Sequence, residues 1–181
     1  MTPVQAPCLI DEAQMGSSIQ RLAREIAAEL GPNDRLAILG IRTRGLPLAQ
    51  RLVASIQQIL NREVPLGTLD ITLYRDDILA RQGVPLVRST EIPFRLQDCT
   101  VLLVDDVLFS GRTIRAALDA MLDHGRPRCV KLAVLVDRGG RELPIQADFA
   151  GMKLEVPADR RVIVKLREID GEDGIYLGQG A

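Results

Sequence analysis

The chain has no tryptophan, a single histidine and only 3% aromatic residues in 181 positions. One histidine nearly excludes a Ser–His–Asp triad or a histidine metal cluster, and His124 reads as part of the turn after a helix. So few rings leave little for base stacking, which weakens any reading as a single-strand nucleic-acid binder. Cys8, Cys99 and Cys129 are odd in number, widely spaced and without a CxxC pair, so neither a disulfide framework nor a structural zinc site is indicated. No apolar run reaches transmembrane length, and the first residues lack the basic and apolar regions of a signal peptide. The expected compartment is the cytoplasm, with no membrane partner. An excess of one charge is missing too. The 23 Lys and Arg stand against 24 Asp and Glu, which excludes a globally basic binder of DNA but leaves room for a local basic face.

What is present is 46% hydrophobic residues, enough for a sizeable and necessarily aliphatic core in one domain spanning 1–181. Asp11 and Gln14 have capping-box spacing, and Ile19, Leu22, Ala23, Ile26, Ala27 and Leu30 follow at helical intervals until Gly31-Pro32-Asn33-Asp34. A buried strand is predicted at 35–40, a second amphipathic helix from Leu46 to Ile59, and a strand around 67–74. Residues 75 to 92 are polar, carry Gly83 and Pro85, keep no period and read as a long loop or flap. A strand (100–105), a helix (about 112–124), a strand (129–136) and a less regular β-rich tail with RVIVKL at 161–166 complete the pattern. Strands alternating with helices imply an α/β fold with a mainly parallel sheet and right-handed crossovers.

The stretch VLLVDDVLFSGRTI, Val101 to Ile114, carries the chemistry. An apolar run delivers Asp105 and Asp106 to a strand end, where ligands of open α/β sheets sit. Two carboxylates about 6 Å apart at an effective dielectric of about 20 repel by roughly 3 kcal/mol, so both need donors or a cation. Ribose hydroxyls are suitable donors and a hydrated Mg²⁺ is a suitable cation. Ser110, Gly111, Arg112 and Thr113 then open a helix, and free amides with the helix dipole favour a phosphate. An ordinary βα turn would account for any one of these residues but poorly for the set. Acids for a sugar beside a loop for a phosphate describe a ribose 5-phosphate. The spacing is neither a Walker loop nor a GxGxxG fingerprint.

This stretch resembles the phosphoribosyl-pyrophosphate (PRPP) motif of type I phosphoribosyltransferases. GIRTRGLPLAQRL (40–52), TLDITLYRDD (68–77) and VDRGGRELPIQAD (136–148) extend the likeness, in the correct order, to the PyrR family. That family comprises bacterial pyrimidine-operon attenuation regulators with uracil phosphoribosyltransferase activity. The resemblance implies a type I phosphoribosyltransferase fold with a small hood and a flexible lid. It makes Val104, Asp105, Asp106, Val107, Leu108, Phe109, Ser110, Gly111, Arg112 and Thr113 the PRPP stretch. Arg42, Thr43, Arg44 and Gly45 become the pyrophosphate loop, which in the family often contains a strained peptide bond. Arg75 falls on the lid, and Val136, Asp137 and Arg138 on the hood that reads uracil. Asp105, Asp106 and Arg44 are the catalytic candidates, with Mg²⁺ entering on PRPP and Asp105 and Asp106 as its further ligands. An internal pairing of Asp137 with Arg138 or Arg141 is the alternative for that loop.

Purine-type relatives commonly place an acid three residues after the acid pair, and here that place is Phe109, which points to a pyrimidine. The implied partners are PRPP, uracil and UMP, with UTP a further nucleotide a pyrimidine regulator would sense, in a homodimer or larger homo-oligomer. Two functions remain open: a uracil phosphoribosyltransferase, or a UMP- and PRPP-sensing attenuator that binds pyrimidine-operon leader mRNA. A transferase for another base is a third. Arg141 keeps its place on the basic face used for RNA. Gly140, Gln146 and Met152 stand where the family usually carries histidine, arginine and often lysine.

Overall fold

A reciprocal cap starts the first helix. In the computed structural model, which describes residues 7–31, 34–76 and 89–180, the Asp11 carboxylate accepts from the Gln14 amide at 2.8 Å. The Gln14 side chain in turn accepts from the Asp11 amide at 3.1 Å. That exchange satisfies two of the amides a helix start leaves unpaired. After a short strand β1 (Cys8–Ile10), α1 (Glu12–Glu29) buries Met15, Ile19, Leu22, Ala23, Ile26 and Ala27, close to the stripe read from the sequence.

The chain continues through β2 (Leu36–Ile41), α2 (Gly45–Leu60), β3 (Leu66–Leu69), β4 (Thr100–Leu108), α3 (Arg112–Leu122), β5 (Cys129–Asp137) and β6 (Phe149–Lys153). These five longer-sheet strands are parallel, in the order β3-β2-β4-β5-β6. The tail forms β7 (Arg160–Lys165), α4 (Arg167–Asp170) and β8 (Gly174–Gln179), and β1-β8-β7 make a separate three-stranded antiparallel sheet. The fold is the α/β arrangement of a type I phosphoribosyltransferase. The β-rich tail read from the sequence holds β6, β7 and β8, although only β7 has a position in that reading, and β1 lies outside it because its apolar pattern is only three residues long.

Two boundaries differ from expectation. The strand expected at 67–74 stops at Leu69, because the Asp70 carboxylate accepts from both the amide and the hydroxyl of Thr72, at 2.8 and 2.5 Å. Such a side-chain turn competes with the ladder and leads into a single 3-10 turn, Thr72–Tyr74. Strand β4, expected to end at Asp105, runs on to Leu108 because β5 continues to pair with it, Val107 to Val136 and Leu108 to Asp137. The acids therefore lie inside a strand. They are past the end of its other ladder, since pairing with β2 stops at Gly40 and Val104. Of the expected flap, 77–88 lies outside the described residues.

The core is aliphatic on both faces of the parallel sheet. Leu22, Leu48, Leu52, Ile56, Leu102 and Leu135 fill the side covered by α1 and α2, and Leu39, Leu103, Ile114, Ala117 and Met121 the side under α3. Each fully buried Leu or Ile contributes about 1.5–3 kcal/mol. This packing brings the start of α2 hard against β4. A Cβ on Gly45 would stand 2.3 Å from the Val104 carbonyl oxygen, so only glycine permits the approach. Gly45→Ala is accordingly expected to lose about 1–3 kcal/mol of stability by overpacking. Chemical denaturation of the two proteins measures it, and an unchanged midpoint would refute the close fit.

Candidate active site

Strand order decides where a ligand can enter. From β2 the chain crosses to β3 on one side, while β4 lies on the other, so the carboxyl ends of β2 and β4 flank the topological switch point. The loop after β2 carries Arg42, Thr43 and Arg44, and β4 carries Asp105 and Asp106, so the two motifs meet at that crevice.

Asp105 is 6% exposed and Asp106 is half-buried. Burial first, and then the charge of Asp106, raise the Asp105 pKa well above the ordinary aspartate value, while Arg75 opposes them. Burial also raises Asp106, against Arg44 and the backbone amides that favour its charge. One Asp105 oxygen accepts from the Asp106 amide and one Asp106 oxygen from the Val107 amide, both at 3.0 Å. The sequence placed Arg75 on the lid and Arg44 on the pyrophosphate loop, and the electrostatics place each near one of the two acids.

The Arg42–Thr43 peptide bond is cis, and Thr43 is exposed. The Nε groups of Arg42 and Arg44 are buried without a hydrogen-bond partner among the described residues. Buried donors of this kind are costly, so two on one loop suit an anion with several oxygens. Gly45, by contrast, serves packing.

On the other side of the acids, Gly111 takes φ +92 as the residue before α3 and offers no side-chain cap, and a Cβ there would lie 3.3 Å from Leu143 and 3.4 Å from Ile145. Left-handed backbone of this kind favours glycine. The Ser110 carbonyl accepts from the amides of Glu142 and Leu143, both at 3.0 Å, which pins the loop from behind. Arg75, Asp76 and residues 107–114 line a cleft of about 460 Å³. Asp76, which the sequence placed only on the lid, pairs with Arg112 at 3.0 Å and also with Arg115. Arg112 further bonds Glu142 at 2.7 Å, so its guanidinium is committed to acids, while its amide donates weakly to the Ser110 hydroxyl at 3.4 Å.

Not every residue of the PRPP stretch offers its side chain. Val104, Leu108 and Val136 are buried in the core, so only their backbone is available to a ligand; Val107 is half-buried. Phe109 is 42% exposed, and the Arg138 guanidinium lies 4.1 Å from its ring centre. That places the loop after β5 against the loop after β4.

The same pair of loops is joined by Arg141. Its guanidinium donates to Asp137 at 2.6 Å, to the Ile145 carbonyl at 2.9 Å, to Phe109 O at 3.0 Å and to Gly139 O at 3.3 Å. It is an internal staple, with little left for RNA. Burial tends to raise the Asp137 pKa, but the Arg141 bond and the Gly139 amide outweigh it and hold the carboxyl below the ordinary range. The internal pairing weighed for this loop is thus the one present. Gly140 sits at φ +72, with the Phe109 ring where a side chain would be; a Cβ there would lie 2.5 Å from that ring. Met152 packs on the core, and Gln146 is exposed.

A phosphoribosyl transferase domain model matches residues 9–166, and the chain belongs to that family. Within it the likeness is to a narrower branch. The protein named Bifunctional protein PyrR in Deinococcus radiodurans is 50% identical over 177 residues, 98% of this chain and 96% of that one. Its namesake in Thermus aquaticus is 50% identical over 169 residues, 93% of each chain. The chain is thereby a member of the PyrR family. Among solved structures, a hypoxanthine-guanine phosphoribosyltransferase from Bacillus anthracis superposes with TM-score 0.72 at 17% identity, covering 98% of this chain and 100% of that one. The hypoxanthine phosphoribosyltransferase of Trypanosoma cruzi gives 0.68 at 19%, covering 96% and 97%. At such identities these two share the fold alone.

Two outcomes follow from the site's electrostatics. A carboxyl whose pKa is raised on folding binds more protons when folded, so it costs stability as pH climbs above the ordinary aspartate range. Asp105→Asn removes that cost. It is expected to raise the thermal midpoint at pH 7.5 and to lose the gain near pH 3.5, and a midpoint lowered at both pH values would contradict the burial of charge. Arg141→Ala, which removes the staple, is expected to cost about 2–3 kcal/mol in urea unfolding.

Proposed function

We propose that the protein transfers the ribose 5-phosphate group of PRPP to uracil, forming UMP and pyrophosphate. The observation that carries this reading is the buried acid pair, set in the switch-point crevice between an arginine loop with unsatisfied donors and a left-handed glycine loop at a helix start. In this reading the hydroxyls of ribose donate to Asp105 and Asp106, which favours the ionised form that burial opposes. The amides of 110–113 and the hydroxyls of Ser110 and Thr113 hold the 5′-phosphate. Arg42, Thr43 and Arg44 receive the pyrophosphate.

The bond between ribose C1 and the pyrophosphate oxygen breaks with its electron pair going to oxygen. A new bond forms from uracil N1 to C1, and the N1 proton is released. The departing bond leads, so positive charge builds on the sugar while negative charge builds on the pyrophosphate. The acid pair lies beside the first charge and the arginines beside the second. Catalysis then rests on positioning and preorganised charge. Asp105 and Asp106 would hold a Mg²⁺ entering with PRPP, and the ion would supply positive charge toward the leaving group.

Uracil is the base because Phe109 occupies the position from which an acid would address a purine ring. Phe109 with Arg138 gives the base a ring and a guanidinium instead. A second, regulatory activity on leader RNA finds support in the word bifunctional in the relatives' names. The commitment of Arg141 and the residues at 140, 146 and 152 thin the basic surface for it, so catalysis stands first.

Purified protein with PRPP and Mg²⁺ is expected to consume uracil and spare hypoxanthine and guanine. Asp106→Asn is expected to lower kcat/KM about 10- to 100-fold, the worth of one or more charge-assisted hydrogen bonds. A base panel with no uracil turnover would overturn the reading. Titration of a pyrimidine-operon leader RNA at rising salt tests the second activity, with binding absent at low salt as the negative result.

A further inference from the structure

Arg44 stands between two carboxylates. Toward the crevice its charge favours ionisation of Asp106, and toward the small sheet its Nη2 donates to the Asp170 carboxylate at 2.8 Å. Asp170 closes α4, more than 120 residues along the chain, and no motif marked it. Its other carboxylate oxygen accepts from the Leu166 amide at 2.9 Å, so the group that meets Arg44 is itself held in place. Burial works against its ionisation, but the Leu166 amide and Arg44 prevail and keep the carboxyl below the ordinary range.

A clamp that merely docks the hood would be the bland account of this pair. The hood already has one. Arg51 of α2 donates four hydrogen bonds of 2.6–2.9 Å to Glu168 and Asp173, about two turns further along than Arg44. The Arg44–Asp170 bond differs from it in kind, because Arg44 belongs to the pyrophosphate loop and keeps a buried Nε without a partner among the described residues. Asp106 makes no ion pair within 4.0 Å among the described residues. With no carboxylate on its far side, the Arg44 guanidinium would be drawn to Asp106, neutralising the acid the ribose needs and withdrawing the donor the pyrophosphate needs.

We propose that Asp170 is a positioning residue for Arg44, holding its guanidinium off the acid pair so that it meets the leaving pyrophosphate. The inference rests on the phosphoribosyl-transfer reading of the site. Its consequence is that the hood takes part in the first half of the reaction as well as in covering the base. The charge on a remote segment sets the position of the arginine that receives the pyrophosphate.

The test uses Asp170→Asn, Asp170→Glu and Glu168→Gln in the full chain, with Asp170→Asn also made in an Arg44→Gln background. Steady-state rates are measured with PRPP and with uracil varied, and Mg²⁺-pyrophosphate binding is measured by calorimetry. Asp170→Asn is expected to raise the KM for PRPP and weaken pyrophosphate binding about tenfold, the lower end for one charge-assisted hydrogen bond, while the KM for uracil stays within twofold. Asp170→Glu, which keeps the charge, should recover most of the loss. Glu168→Gln, which loosens the hood clamp only, should lower the thermal midpoint without that loss. In the Arg44→Gln background Asp170→Asn should add less than twofold. An unchanged PRPP KM and pyrophosphate affinity in Asp170→Asn, an undiminished effect without Arg44, or the same loss in Glu168→Gln would overturn the inference. Wild-type protein that binds neither PRPP nor pyrophosphate would instead bring down the functional reading beneath it.

Discussion

Two adjacent carboxylates inside a strand, one buried and one half-buried, are the constraint around which this molecule is arranged. Asp105 and Asp106 are each pushed toward protonation by burial, and the charge of Asp106 adds to the cost of ionising Asp105. A fold that served stability alone would place apolar residues there, as β4 does in the four positions before them. What lowers the cost is spread across distant segments: Arg75 from beyond β3, Arg44 from the start of α2, and amides of β4 itself. In the functional reading the sugar hydroxyls supply the rest, so the site is strained in charge until its substrate arrives.

The surroundings of the acids are built by close approach. Gly45 lets α2 begin against the Val104 carbonyl, which brings the arginine loop to the acids. Gly111 turns the chain from β4 into α3, and the 142–145 segment supports it from below. Arg141 then ties three stretches together by donating to Asp137, Phe109, Gly139 and Ile145. The loops after β4 and β5 are thereby one unit, held by a guanidinium that bonds inward. The exchange of a side chain for Gly140 belongs to the same unit, since the Phe109 ring occupies the space that a Cβ would need.

The alternation of strands with helices, the cap at Asp11, and the acid pair followed by Ser-Gly-Arg-Thr were all legible, because each depends on neighbours a few residues apart. The end of β3 was not, since a single Asp70 side chain diverted the backbone after Leu69. Nor was the length of β4, which depends on how far β5 runs beside it. The hood escaped in part because its strands β1 and β8 come from opposite ends of the chain and carry little periodicity of their own.

The sequence by itself determined the chemistry at hand: which residue types accompany which strand and the turn after it, with the family resemblance adding that Phe109 stands where purine-type relatives carry an acid. Local patterns can do this because a strand and the turn after it are specified by adjacent side chains. Only the tertiary structure decided how those groups are employed. Arg141 became a staple and Arg112 an ion-pair partner, while Val104 and Leu108 went to the core. Asp170 came to lie beside Arg44 across 126 residues of chain. A charged side chain takes its partner from whatever the fold brings near, and that proximity is written in packing rather than in sequence order.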